Sequence, residues 1–177
     1  MQRDYDLDSV IRKVPDFPKK GILYYDITSI LMEPDAFSFC VSSMVSRYRS
    51  AGIDAIAAVE SRGFLFAGPL AHELRLPTLL VRKAGKLPGE TVSKTYELEY
   101  GADTIEMHRE DLRAGQRILI VDDLIATGGT VRATADLIEE AGSTVHEVFS
   151  VIGLPFLSYE QRLAPVAVHT LVDYEGE

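Results

Sequence analysis

The stretch that most constrains this chain is Ile118-Leu119-Ile120-Val121-Asp122-Asp123-Leu124-Ile125-Ala126-Thr127-Gly128-Gly129-Thr130. Four consecutive branched aliphatics, 118–121, read as a strand buried on both faces, which is what the centre of a parallel sheet requires. From Val131 the period changes. Thr134, Ala135, Ile138 and Ala141 follow it at three- and four-residue spacing and predict a helix, and Gly142 stands where a left-handed cap would end it. Strand, tight loop and helix in that order put the loop at the carboxyl end of the strands, the side on which open α/β sheets bind ligands.

The loop residues narrow the ligand. Ala126, Thr127, Gly128, Gly129 and Thr130 combine two glycines, which let several N–H groups point one way, with two hydroxyls at a helix N-terminus, and this is a cradle for an anion. A Walker loop needs a lysine after its last glycine. Thr130 stands there instead, so a single phosphate is the economical reading. Asp122 and Asp123 would repel that phosphate unless the same ligand also offers hydroxyls for carboxylates to accept from, as a ribose does. The deduced ligand is a sugar monophosphate. The competing reading is turn and capping chemistry alone, for which each half of the motif would suffice.

A chain of 177 residues fits one domain over 1–177, long enough to bury roughly 70% of its unfolded surface. A net charge of -9 argues against nucleic acid as a partner, since a binding face needs clustered Lys and Arg. The single cysteine, Cys40, lies between Phe39 and Val41 and reads as core, and it excludes an intramolecular disulfide. No apolar run approaches the ~18 residues of a membrane span, and Met1-Gln2-Arg3-Asp4 lacks the apolar core of a signal peptide. The expectation is a cytoplasmic protein with no membrane partner.

Elsewhere the pattern alternates strands with helices. Leu7–Val14 predicts a short helix closed by Pro15, and Phe17–Thr28, punctuated by Pro18 and Gly21, predicts an edge strand or covering arm. A helix follows from an Asp35 cap to Ala51, then a strand 53–59 leading into Glu60-Ser61-Arg62-Gly63. Arg62 at a strand's carboxyl end suits bidentate phosphate contact, against the plainer alternative of an ion pair with Glu60. After a helix 64–74 and a strand 77–81 comes Arg82-Lys83-Ala84-Gly85-Lys86, the densest basic stretch of an acidic chain. It reads as a mobile loop for a polyanion, or as a solvated loop. Val92, Tyr96, Leu98 and Tyr100, then Ile105 and Met107, alternate around Gly101 and predict an antiparallel hairpin hung on that loop as a lid over about 82–108. Two further strands, 144–152 and 166–172, with a short helix 158–163 between them, complete the chain. His108, His146 and His169 fall singly, without metal-ligand spacing, so no protein metal site is assigned. The fold class is α/β: a central, mostly parallel sheet flanked by helices.

Two acidic residues after a hydrophobic strand followed by Ala-Thr-Gly-Gly-Thr resemble the phosphoribosyl-diphosphate (PRPP) signature of the type I phosphoribosyltransferases, and within them the adenine-specific branch. The likeness runs from about Val10 to the C-terminus. It implies transfer of 5-phosphoribose from PRPP to adenine, with Mg²⁺ bound alongside PRPP, in a homodimer. Asp122 and Asp123 would then hold the ribose hydroxyls, directly or through metal and water. Ala126 to Thr130 would hold the terminal phosphate. Ser61, Arg62, Arg82, Lys83 and Lys86 would take the diphosphate, with Arg62 also catalytic and an unusual peptide in the Glu60–Gly63 loop. Backbone groups near Leu23 and Tyr25, in a hood over about 1–34, would read the base, although the family usually has Arg where Tyr25 stands. Glu99 matches the carboxylate that handles the base's proton, as acid or base. The alternatives are a phosphoribosyltransferase for hypoxanthine, guanine, xanthine or orotate, and a PRPP-sensing regulator of transcription.

Overall fold

The central hydrophobic run forms a strand that continues past its aliphatic part. Residues Arg117–Ile125 (β7) extend through both aspartates, which therefore lie within the sheet and not in the loop after it. The extension follows from the neighbour: Asp122, Leu124 and Ile125 pair with Ser150, Ile152 and Gly153 of the strand beside it, Thr144–Gly153 (β8).

The structure, a computed structural model, describes residues 5–97 and 101–176. The other strands are Arg12–Pro15 (β1), Leu23–Asp26 (β2), Ala55–Val59 (β3), Thr78–Lys83 (β4), Thr91–Glu97 (β5), Ala102–His108 (β6) and Val168–Asp173 (β9). The helices are Thr28–Met32 (α1), Pro34–Tyr48 (α2), Gly63–Leu74 (α3), Gly129–Glu140 (α4) and Tyr159–Leu163 (α5). A seven-stranded sheet runs in the order β5-β6-β4-β3-β7-β8-β9, with β4, β3, β7, β8 and β9 parallel and the β5–β6 hairpin antiparallel at one edge.

Period-two alternation divides the core. Ile56, Ala58, Leu119 and Val121 face one side, packed with Cys40 and Met44 of α2 and Phe66 and Leu70 of α3. Ala55, Ala57, Ile118 and Ile120 face the other, against Ala135 and Ile138 of α4 and Ile105 and Met107 of the hairpin. Helices thus cover both faces, as a parallel sheet demands.

Several expectations change. The short helix over 7–14 is a single turn, with Val10 and Ile11 N–H bonded to the Leu7 carbonyl, before the chain extends as β1. Tertiary pairing wins there: the Arg12 N–H donates to Ser29 Oγ at 2.9 Å, and Arg12 to Pro15 pair with Asp26 to Leu23. The Phe17–Thr28 segment contributes β2 to this separate two-stranded sheet and is not an edge of the main one. Helix α2 begins at Pro34, with Glu33 and not Asp35 at its cap. Arg82 and Lys83 belong to β4, because Arg82 pairs with Glu106 and Lys83 with Ile105 of β6. The hairpin is therefore anchored to the main sheet through β6.

Candidate active site

Gly128 has φ 75°, a left-handed conformation that costs a glycine little, and with it β7 turns sharply into α4. Together with Asp122, residues Leu124 to Val131 line a concavity of about 130 Å³, room for several waters or a phosphate group at ~30 Å³ per water. Among the described residues, no loop carbonyl or side chain takes the N–H groups of Thr127, Gly128, Gly129 or Thr130. These are the donors that a helix start leaves unpaired, and they attract negative charge.

Asp122, which lines the concavity, and its neighbour Asp123 are both buried. The Asp123 N–H donates to Asp122 Oδ1 at 2.8 Å. Burial, reinforced by the neighbouring Asp123 carboxylate, pushes the Asp122 carboxyl well above the usual range. The Asp123 N–H offsets this in part, and the Arg62 guanidinium adds its positive charge. Its Nε donates to Asp123 Oδ2 at 2.5 Å, and its Nη1 donates to the Tyr24 hydroxyl at 3.0 Å. Arg62 thus joins β2 to the acidic pair and, among the described residues, has no bond to Glu60. Its neighbour Gly63 explains the approach: a Cβ there would lie 2.9 Å from the Val121 carbonyl oxygen and 3.1 Å from Asp122 Cα. Only a glycine lets the start of α3 sit this close to β7.

The basic stretch is already engaged. Glu60 accepts from Arg82 Nε at 3.1 Å and from the Lys83 N–H at 2.9 Å, and Arg82 Nη1 donates to the Lys86 carbonyl at 3.1 Å. Burial raises the Glu60 carboxyl, but the Lys83 N–H and the Arg82 guanidinium outweigh it and hold it below its ordinary value. Glu106 accepts from the N–H groups of Lys86 and Leu87 at 2.9 and 2.8 Å, and Lys83 Nζ pairs with Asp103 at 3.0 Å. The segment 82–87 is therefore pinned by three carboxylates, with the Lys86 side chain left exposed. The Glu60–Ser61 peptide beside it is cis.

In β2, alternation sends neighbouring tyrosines opposite ways. Tyr24 reaches Arg62, whereas the Tyr25 ring is buried and stacks on Tyr174 at 3.8 Å, so a role for Tyr25 towards a base is confined to its backbone. Leu23 is half-buried at the start of the same strand. Glu99 lies outside the described residues.

Residues 34–154 match the family model of the phosphoribosyl transferase domain. Over its whole length the chain is 50% identical to an adenine phosphoribosyltransferase of Treponema denticola, of which it covers 93%. The chain belongs to the phosphoribosyl transferase family. Among solved relatives, an adenine phosphoribosyltransferase from Thermoanaerobacter pseudethanolicus superposes with a TM-score of 0.90 at 44% identity, covering 94% of this chain and 97% of that one. The Saccharomyces cerevisiae enzyme, solved with adenine and an imino-altritol bisphosphate, gives 0.87 at 38% identity, with 94% and 96% covered.

Three residues of this phosphoribosyl transferase site went unseen in the sequence. Tyr24 was hidden beside Tyr25, although strand alternation could have separated the two. Tyr96 comes from the hairpin to donate to or accept from Thr130 Oγ1 at 2.9 Å. Arg162 of α5 brings a guanidinium nitrogen to 3.2 Å from where a Cβ of Gly129 would lie. Nothing local to either residue signals a loop 33 residues away.

Proposed function

We infer that this chain transfers the 5-phosphoribosyl group of PRPP to N9 of adenine, forming AMP and releasing diphosphate. The observation that carries the reading is the amide cradle of Thr127–Thr130 lying beside the buried Asp122–Asp123 pair. A ribose 5-phosphate moiety fits both at once: its dianion takes the N–H groups and threonine hydroxyls, and its ring hydroxyls donate to the carboxylates. Support for adenine comes from the relatives, which are named for that base.

The remaining roles follow from charge. Departure of diphosphate from the anomeric carbon leaves an oxocarbenium-like sugar and a polyanion, and we assign Arg62, Lys83, Lys86 and the Ser61 hydroxyl to receive the latter. One such preorganised donor contributes ~10²–10³ in rate. Arg82, held by Glu60 and the Lys86 carbonyl, positions that segment. Leu23 and Tyr25 backbone groups read the base, and Glu99 exchanges its proton as base or acid. Among the described residues no three His, Cys, Asp or Glu side chains gather as a metal site. Asp122 and Asp123, as carboxylate oxygen donors, would suit an ion carried on substrate oxygens, held directly or through water. Mg²⁺ bound with PRPP supplies positive charge to the diphosphate. The active form is a homodimer, which analytical ultracentrifugation tests.

The deciding assay supplies PRPP and Mg²⁺, then adenine, hypoxanthine, guanine, xanthine or orotate in turn, and follows diphosphate. Release with adenine alone is expected. Release with a different base moves the base assignment, and no release with any base removes the reading. Replacing Glu99 by Gln slows single-turnover chemistry while PRPP affinity stays near wild type; an unchanged rate takes Glu99 out of the mechanism.

A further inference from the structure

The hairpin touches the cradle at a polar point, Tyr96 against Thr130. Tyr96 of β5 lies with its hydroxyl 2.9 Å from Thr130 Oγ1, and a Cβ on Gly129 would come within 3.1 Å of its ring. The ring is half-buried against the start of α4. Two further ties hold the hairpin in this place: Lys94 pairs with Glu140 of α4, and Asp103, the cross-strand partner of Tyr96, pairs with Lys83. The hydroxyl contact is therefore made between two braced elements and not by a wandering side chain.

We propose that Tyr96 is a positioning residue for the terminal phosphate, donating to Thr130 Oγ1 so that the threonine's own proton is directed into the cradle. This rests on the reading that the cradle binds the 5-phosphate of PRPP. A hydroxyl has one proton and two lone pairs. When a phosphate dianion enters, the Thr130 proton gives its strongest bond to a phosphate oxygen, and Thr130 Oγ1 remains open as an acceptor. Tyr96 fills that position, and a chain of two bonds in one direction polarises both. Burial raises the Tyr96 phenol above its ordinary value, so it stays protonated as this role requires. The contact also lets hairpin placement and phosphate binding reinforce each other, since the same hydroxyl belongs to both.

The test compares wild type, Tyr96→Phe, Thr130→Val and the double variant, with ribose 5-phosphate affinity from calorimetry and KM for PRPP and for adenine from the diphosphate assay. Phenylalanine keeps the ring against Gly129, so thermal stability should hold. A net hydrogen bond of this kind corresponds to a loss of about three- to tenfold in ribose 5-phosphate affinity and a matching rise in KM for PRPP, with KM for adenine unchanged. In the Thr130→Val background the Tyr96→Phe change should add nothing. Unchanged ribose 5-phosphate affinity in Tyr96→Phe overturns the proposal, as does full additivity in the double variant, or a drop in melting temperature with all constants moving together. If wild type turns over PRPP and adenine, those failures concern Tyr96 alone. A wild type that neither turns over PRPP nor binds ribose 5-phosphate removes the functional reading along with it.

Discussion

Two carboxylates on neighbouring strands, Glu147 half-buried and Asp122 buried, are balanced in opposite ways. Towards the amino end of β8, Glu147 accepts from Arg47 Nε and Nη2 at 2.7 and 2.6 Å and from the Tyr48 hydroxyl at 2.6 Å. Burial alone would raise it, but Arg47 and Tyr48 hold it below its ordinary value. Towards the carboxyl end of β7, Asp122 has another carboxylate at its side, while the nearby Arg62 bonds to Asp123. The first cluster is closed on itself and serves the fold. The second carries acidity beside unclaimed N–H donors, and on the function proposed above a ligand with hydroxyls at one end and a phosphate at the other would complete both. Strained electrostatics of this kind mark functional sites more often than structural ones.

The sharpest way to break this comparison is to remove each arginine. Arg62→Ala should lower kcat for diphosphate release by ~10²–10³, since a charge-stabilising donor disappears. Its melting temperature should fall by only a few degrees, because Arg62 is two-fifths exposed and the pair is partly screened. Near-wild-type turnover would return Arg62 to a structural role. Arg47→Ala should do the reverse: a loss of about 2 kcal/mol, reduced from the cost of breaking a fully buried pair because Arg47 is also two-fifths exposed, with kcat nearly intact. Calorimetry and the turnover assay together decide whether the two clusters differ as described.

A smaller effect sharpens the contrast. Asp122→Asn keeps the shape and the bond from the Asp123 N–H while removing a charge that burial disfavours, and should stabilise the protein by ~1 kcal/mol at pH 7 while weakening PRPP binding. The sign with pH follows from the raised carboxyl. The native state holds the Asp122 proton to higher pH than the unfolded chain does, so wild-type stability falls as pH rises from about 4 through the raised value. The advantage of Asp122→Asn should thus shrink as pH is lowered towards 4. Glu147 runs the other way: its contribution is present above about pH 4.3 and is lost as pH falls through its depressed value. Melting curves across pH 2–8 should therefore show Asp122→Asn gaining on wild type as pH rises above about 4, and Arg47→Ala falling behind wild type as pH rises towards about 4.3 with a nearly constant gap above it; a pH-independent offset for either variant would contradict the assignment.

Much of the scaffold was legible in the chain. The aliphatic run of β7, the change of period at Val131, Gly142 with φ 79° after α4 and the alternation of the β5–β6 hairpin are local signals, and each appears as an element. The strand running on through Asp122 and Asp123 was not legible, because two aspartates in succession resemble a turn until β8 supplies their ladder partners. Nor was the turn at Leu7–Ile11, where a weak helical pattern yields to pairing with β2.

The sequence by itself determined the glycine-rich turn into α4, since the glycines, hydroxyls and helix start that make it are contiguous and their chemistry is that of the backbone. Tertiary structure decided who meets whom. The strand order β4-β3-β7 carries Arg62 to Asp123, 61 residues away, and gives Arg82 to Glu60, 22 residues away, so the arginine nearest Glu60 in sequence is not its partner. Strand alternation turns Tyr24 towards that arginine and Tyr25 away from it, and the hairpin's place at the sheet edge brings Tyr96 to Thr130. Backbone preferences act over a few residues and can be read in order along the chain. Charges and hydroxyls act through space, and the distances between them exist only once the sheet has closed its order.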